Sequence, residues 1–136
     1  MGMTVPARGP GATPLVVVIE DEPMILAAYE LMLESWGYGF VGAESAASAL
    51  TCLVERRLRP DFIIADYRLT DGHTGTQAIE LLRSAFGQSI PGVLVTGETS
   101  LDTLRDAAST GFPLLRKPVP SRQLQDAVMR CVGPAG

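Results

Sequence analysis

The sequence predicts a doubly wound α/β domain: five parallel strands in the order 2-1-3-4-5, with helices packed on both faces of the sheet. Three observations predict it. Short, unalternating apolar runs rich in β-branched residues recur at Leu15–Ile19, Phe62–Ala65 and Val93–Val95, as expected of strands buried on both faces. Stretches with helical spacing separate these runs, giving a (βα)5 alternation whose crossovers are right-handed almost without exception. Each run also ends in a polar residue, and in such a sheet the carboxyl ends of the strands share one crevice.

The elements follow in order. The first strand is Leu15–Glu20. Pro23 opens the first helix, where its missing N–H costs no bond. That helix runs to about Trp36 with Ile25, Leu26, Tyr29, Met32 and Leu33 on one stripe, and Gly37 ends it. A weaker strand covers Gly39–Ala43. Ser45 caps a second helix from Ala46 to about Arg57. Pro60 breaks the chain before the strand Phe62–Asp66, and the loop Tyr67–Thr74 carries the turn signal Asp71-Gly72. A third helix spans Gly75–Phe86, with Ala78, Ile79, Leu81 and Leu82 apolar. Pro91-Gly92 precedes the strand Val93–Thr96. A short fourth helix covers Leu101–Ser109 and ends at Gly111. The last strand is Pro113–Arg116, and a final helix runs from Ser121 to Cys131 with Leu124, Ala127, Val128 and Cys131 inward. Residues 15–132 form one domain. Residues 1–14, with three prolines and three glycines, read as a flexible tail or linker, and 133–136 as a second tail.

Bulk properties exclude several classes. The 136 residues suffice for one core, and a net charge of -4 argues against a nucleic-acid or membrane surface, which needs clustered Lys and Arg. No apolar stretch approaches the roughly 20 residues of a membrane helix. No secretory signal is visible, and Pro6 stands where N-myristoylation requires Ser or Thr, so a cytoplasmic location is expected. Cys52 and Cys131 lie inside helices without metal-type spacing and read as reduced core or boundary thiols.

The chemistry lies at the strand ends. Glu20 and Asp21 follow the first strand and Asp66 ends the third, so three carboxylates converge, repel one another and await a cation. Oxygen ligands from a few carboxylates plus water suit Mg²⁺ better than Ca²⁺. A carboxylate is also a nucleophile toward phosphorus, giving an aspartyl-phosphate. Lys117 supplies a compact positive charge, and the Thr96 hydroxyl a hydrogen bond to a phosphoryl oxygen. Lys117-Pro118 is a candidate cis peptide. Singly, each residue has an ordinary explanation: a strand-end Asp forms turns, Thr96-Gly97 starts a loop, Lys-Pro is noise. Their coincidence at the right strand ends carries the inference.

As a set, Val18-Ile19-Glu20-Asp21-Glu22-Pro23, the strand ending in Asp66, Val95-Thr96-Gly97 and Lys117-Pro118 resemble the receiver domain of two-component response regulators, over about Leu15–Val132. The resemblance implies a flavodoxin-like fold and transfer of a phosphoryl group from a histidine kinase, or a histidine phosphotransfer protein, onto Asp66. It implies Mg²⁺ held by Asp21, Asp66 and the backbone carbonyl of Arg68, with Glu20 acting through water, and phosphoryl contacts from Thr96, Gly97 and Lys117. It further implies a switching surface on the fourth helix, last strand and last helix, a monomer or weak dimer, and no enzymatic activity beyond self-phosphorylation and self-dephosphorylation. The segments Asp66–Gly75 and Pro113–Val119 look like the receivers at the C-terminus of hybrid sensor histidine kinases; a single-domain regulator is the alternative.

The sequence departs from the family pattern in three places. Leu114 stands where Tyr or Phe is usual, with Phe112 on the same strand face by parity. Thr70 stands where proline is common, in a loop one residue longer than usual. Glu20 replaces a frequent Asp. Arg68 and Glu98 each follow a site residue by two positions, which reads either as a gate over the phosphoryl group or as a solvated pair. His73 reads as a solvated loop histidine, and Trp36 and Tyr38 as packing residues. Two other functions compete. A phosphatase of the haloacid dehalogenase type also uses a strand-end Asp with Mg²⁺, but needs a second Asp where Arg68 stands. A degenerate receiver acting only as a binding module would fit Leu114, yet not the intact acidic set.

Overall fold

The computed structural model describes residues 13–69, 72–97 and 100–133. Five strands, β1 (Leu15–Ile19), β2 (Gly39–Ala43), β3 (Phe62–Asp66), β4 (Gly92–Thr96) and β5 (Leu114–Arg116), alternate with α1 (Pro23–Ser35), α2 (Ala46–Arg56), α3 (Gly75–Phe86), α4 (Leu101–Thr110) and α5 (Ser121–Val132). The sheet order is β2-β1-β3-β4-β5, every pair parallel. The chain goes outward from β1 to β2 and returns across β1 to β3, so the winding reverses between β1 and β3. That reversal opens a crevice at the carboxyl ends of these two strands.

Strand parity sorts the core into two layers. Val17, Ile19, Ile63, Ala65 and Leu94 face α2, α3 and α4, where they meet Ala49, Leu53, Ile79, Leu82 and Ala107. Val16, Val18, Phe62, Ile64 and Val95 face α1 and α5, where they meet Tyr29, Leu33, Leu124 and Val128. With both faces covered, the strands carry no alternating polar positions, which is why they read as continuous apolar runs.

The helix signals act as the sequence suggests. Pro23 occupies the first turn of α1 and Gly37, at φ 91°, follows its end. The Ser45 hydroxyl accepts from the Ser48 amide at 3.1 Å. A reciprocal capping box of Thr74 and Gln77, which the sequence reading did not name, starts α3. Several boundaries differ. β1 ends at Ile19 rather than Glu20; the Glu20 amide still donates to the Ala43 carbonyl at 3.0 Å, but the chain then turns into α1. α2 stops at Arg56 because Arg57 turns left-handed, at φ 56°. Pro14 is buried and its carbonyl accepts the Gly39 amide at 2.9 Å, so ordered packing starts just before β1. At the other end, the Tyr38 hydroxyl donates to the Gly133 carbonyl at 2.9 Å.

Three side chains of the predicted apolar helix stripes are exposed. Cys131 is one, because the buried row of α5 follows Leu124, Val128 and then Val132, each four residues on, and passes Cys131 by. Ile25 lines an open apolar groove between α1 and α5, and Leu81 lines a hollow between α2 and α3. Cys52 is half-buried against the core, and both thiols are free.

Candidate functional site

The two strands beside the crevice deliver the acidic residues. Glu20 and Asp21 emerge from β1 and Asp66 closes β3, and one carboxylate oxygen from each lies within 4.8 Å of the others. Glu20 is 2% exposed although it is charged. Its carboxylate accepts the Glu22 amide at 3.1 Å through one oxygen and the Lys117 ammonium at 3.2 Å through the other. Lys117 also reaches Asp66 Oδ2, at 2.9 Å. It is the only lysine in the chain. The Lys117-Pro118 peptide is cis, and the Lys117 amide donates to the Thr96 carbonyl at 2.8 Å, which ties the end of β5 to the end of β4.

Electrostatics follow from this crowding. Burial pushes the Glu20 carboxyl up, the Asp66 charge adds to that, and the Glu22 amide and Lys117 oppose it. Burial acts to lower Lys117, but its hydrogen bond to Asp66 and the charges of Asp66 and Glu20 prevail, so the ammonium titrates above its ordinary value. Two of the three clustered carboxylates, Glu20 and Asp66, share the Lys117 ammonium. The three acids together offer an all-oxygen donor set, which suits a hard divalent cation.

The remaining predicted residues take distinct places. Thr96 is buried at the end of β4, and Gly97, just beyond it, is exposed. Arg68 begins the loop after β3, bridges Thr74 across it, and holds its guanidinium 5.7 Å from the centre of the Tyr67 ring. Glu98, Thr70 and Asp71 lie outside the described residues. His73 is exposed in the same loop. Leu114 is half-buried against the α4 side of the sheet, with Phe112 in the same cluster as parity suggests. The Arg83 guanidinium lies 4.7 Å from the centre of the Phe112 ring. Trp36 and Tyr38 pack beneath α1.

Three functional placements escaped the sequence reading. Tyr29 projects from α1 toward the acidic cluster, and burial with the nearby Glu20 charge pushes its phenol up to about 12. Gly75 leaves room for the Asp66 carbonyl, since a Cβ there would sit 2.4 Å from that oxygen. Tyr67 is buried, and its hydroxyl donates to the Asp106 carboxylate of α4. An aromatic directly after a strand-end acid, with the parity of Ile63 and Ala65, is the signal that places Tyr67 on the α4 side.

Known proteins resemble this chain in sequence and in fold. The family model for the response regulator receiver domain matches residues 16–129. The phyllosphere-induced regulator PhyR of Methylorubrum extorquens is 30% identical over 81 residues, 60% of this chain and 30% of the relative. The transcriptional regulatory protein GlrR of Escherichia coli is 31% identical over 114 residues, 83% of this chain and 25% of the relative. The chain thus spans a third or less of the length of these two relatives. Among solved structures, the receiver domain of a sensor histidine kinase from Pseudomonas aeruginosa, with a magnesium ion coordinated in its active-site cleft, has TM-score 0.74 and 26% identity over 90% of this chain and 99% of that one. Chemotaxis protein CheY4 of Vibrio cholerae shares the fold, with TM-score 0.76 and 24% identity over 89% of this chain and 100% of that one. The chain belongs to the response regulator receiver domain family, the signalling domain of two-component systems.

Proposed function

We propose that Asp66 accepts a phosphoryl group from a phosphohistidine on a histidine kinase or a histidine phosphotransfer protein. One observation carries the reading: the Asp66 carboxylate sits at the sheet's reversal point, paired with the chain's single lysine and flanked by two further carboxylates. An Asp66 oxygen attacks phosphorus, the new O–P bond forms as the P–N bond to histidine breaks, and the acyl phosphate remains on β3. Lys117, which neutralises Asp66 before transfer, turns to a phosphoryl oxygen once the carboxylate is phosphorylated. The Thr96 hydroxyl donates to a second oxygen and the Gly97 amide to a third. Transfer of this kind depends on alignment and charge neutralisation more than on covalent help.

Asp21, Asp66 and the Arg68 carbonyl would hold Mg²⁺, with Glu20 acting through water. The bound ion would neutralise charge that builds on the phosphoryl oxygens. The magnesium-bearing receiver from Pseudomonas aeruginosa supports this assignment by its 26% identity over 99% of its length. Arg68 and Glu98 are the candidates for a gate that slows hydrolysis of the acyl phosphate. The domain works in the cytoplasm, self-phosphorylates from small donors, acts as a monomer or weak dimer, and does not bind nucleic acid itself. Its sequence segments around Asp66 and Lys117 favour a parent of the hybrid histidine kinase type.

The test is Mg²⁺-dependent reaction with phosphoramidate or acetyl phosphate, followed by intact-mass measurement. Wild type should gain one base-labile phosphoryl group, and Asp66→Asn none. Incorporation that persists in Asp66→Asn, or a wild type that stays unmodified, refutes the assignment.

A further inference from the structure

α4 is weakly anchored. Its buried residues are Thr103 and Ala107 alone, whereas α3 buries Gly75, Ala78, Ile79 and Leu82. Leu101 and Leu104 of α4 are exposed. Apolar burial therefore contributes little to fixing α4, and a single polar contact carries more of the balance.

Such a contact exists. Tyr67 follows the phosphoacceptor directly in sequence. Its backbone is clamped on both sides: the amide donates to the Val95 carbonyl at 2.7 Å, and the carbonyl accepts the Gly75 amide at 2.8 Å. Its ring is buried against the core beneath α4, and its hydroxyl donates to Asp106 in the middle of that helix. A buried aromatic thus runs from the residue beside Asp66 to a helix that buries only two small side chains of its own.

We propose that the Tyr67–Asp106 hydrogen bond is a latch that holds α4 in its unphosphorylated position, and that it does in this chain, from β3, what an aromatic at position 114 of β5 would do elsewhere. The proposal rests on the reading of Asp66 as phosphoacceptor. Phosphorylating Asp66 alters the end of β3 and removes the carboxylate charge that Lys117 holds, so the backbone that carries Tyr67 is disturbed. α4 moves when the latch opens. Because a ligand shifts an equilibrium only through its different affinity for the two states, a weaker latch makes the phosphorylated form easier to reach. Tyr67 and Asp106 are coupling residues in this scheme and touch no reacting atom.

The test compares wild type with Tyr67→Phe, Asp106→Ala, Asp106→Asn and the Tyr67→Phe/Asp106→Ala double variant. Tyr67→Phe keeps the ring and removes only the hydroxyl. In the absence of any phosphoryl analogue, hydrogen exchange of the α4 amides should quicken in Tyr67→Phe and Asp106→Ala while β3 and α3 stay protected. In Mg²⁺, beryllium fluoride should bind these variants roughly threefold to tenfold more tightly, the range one net hydrogen bond supplies. Asp106→Asn, which keeps an acceptor oxygen, should lie between them and wild type. The double variant should match the single ones, because the second change has no bond left to remove. Unchanged exchange in α4, unchanged or weaker beryllium fluoride affinity, or additive effects each overturn the latch. A wild type that fails to bind beryllium fluoride overturns the phosphoacceptor reading and the regulatory role with it; a wild type that binds, beside variants that match it, overturns the latch alone.

Discussion

Tyr29 shows what burial, with the Glu20 charge nearby, does to a phenol. Its phenol is 6% exposed and titrates at about 12 rather than 10. The folded state thus holds that proton more tightly than the unfolded chain does. The resulting stability is complete below about pH 10, the unfolded value, and is lost as pH rises through about 12. Tyr29→Phe removes the titrating group and keeps the ring. Urea unfolding should show wild type losing on the order of 2 kcal/mol more than this variant between pH 9 and 12, a difference set by the size of the pKa displacement. Equal alkaline losses in the two proteins would mean that the phenol is not held neutral by the fold. Cys131 illustrates the opposite case, a residue whose environment helical spacing misjudged. A difference of one position on α5 separates it from the inward Val132, and periodicity does not resolve one position at a helix end.

At the scale of elements, the junction of β3 and α3 is the tightest in the site. Helix propensity ranks alanine above glycine, so on local grounds Gly75→Ala should strengthen the first turn of α3. The structure argues the reverse. The added Cβ would fall 2.4 Å from the Asp66 carbonyl oxygen, a backbone atom that cannot step aside without moving β3. Gly75→Ala should destabilise the domain by about 1–3 kcal/mol, as overpacking does, and slow phosphorylation by displacing Asp66. Thermal unfolding and the rate of mass gain from acetyl phosphate measure the two effects; a stabilised variant would contradict the close approach. The strands and two of the helix starts were legible because each obeys a local rule: β-branched runs for β1, β3 and β4, Pro23 for α1, Ser45 for α2. The acidic set and Lys117 were legible because strand ends in a parallel sheet converge. Tyr67 and Asp106 were not, since they are 39 positions apart and meet only through packing that no local pattern encodes. Gly75 escaped for the same reason, its neighbour being a carbonyl nine residues upstream.

At the scale of the whole molecule, folding and metal binding are linked. Carboxylates held close together repel one another, and a cation bound among them offsets that repulsion. Ligands that bind only the folded state stabilise it by mass action. With few protein ligands on offer, affinity in the millimolar range is expected, so 10 mM Mg²⁺ should add on the order of 1 kcal/mol to unfolding free energy. Asp21→Ala should abolish that increment. It should also leave the metal-free protein no less stable than wild type, because it removes one of the mutually repelling charges. An Asp21→Ala variant that Mg²⁺ still stabilises as strongly as wild type would exclude this carboxylate from the ion's ligands. The single lysine has a last consequence, of a chemical rather than a signalling kind. Ten arginines carry the rest of the side-chain positive charge, so the protein presents one side-chain primary amine, and that amine is inside the cleft. Amine-selective reagents become a site-directed stain: acylation at Lys117 reports whether Asp66 and Glu20 are holding its proton, and any occupant that turns the ammonium away is read as a change in labelling rate at one tryptic position.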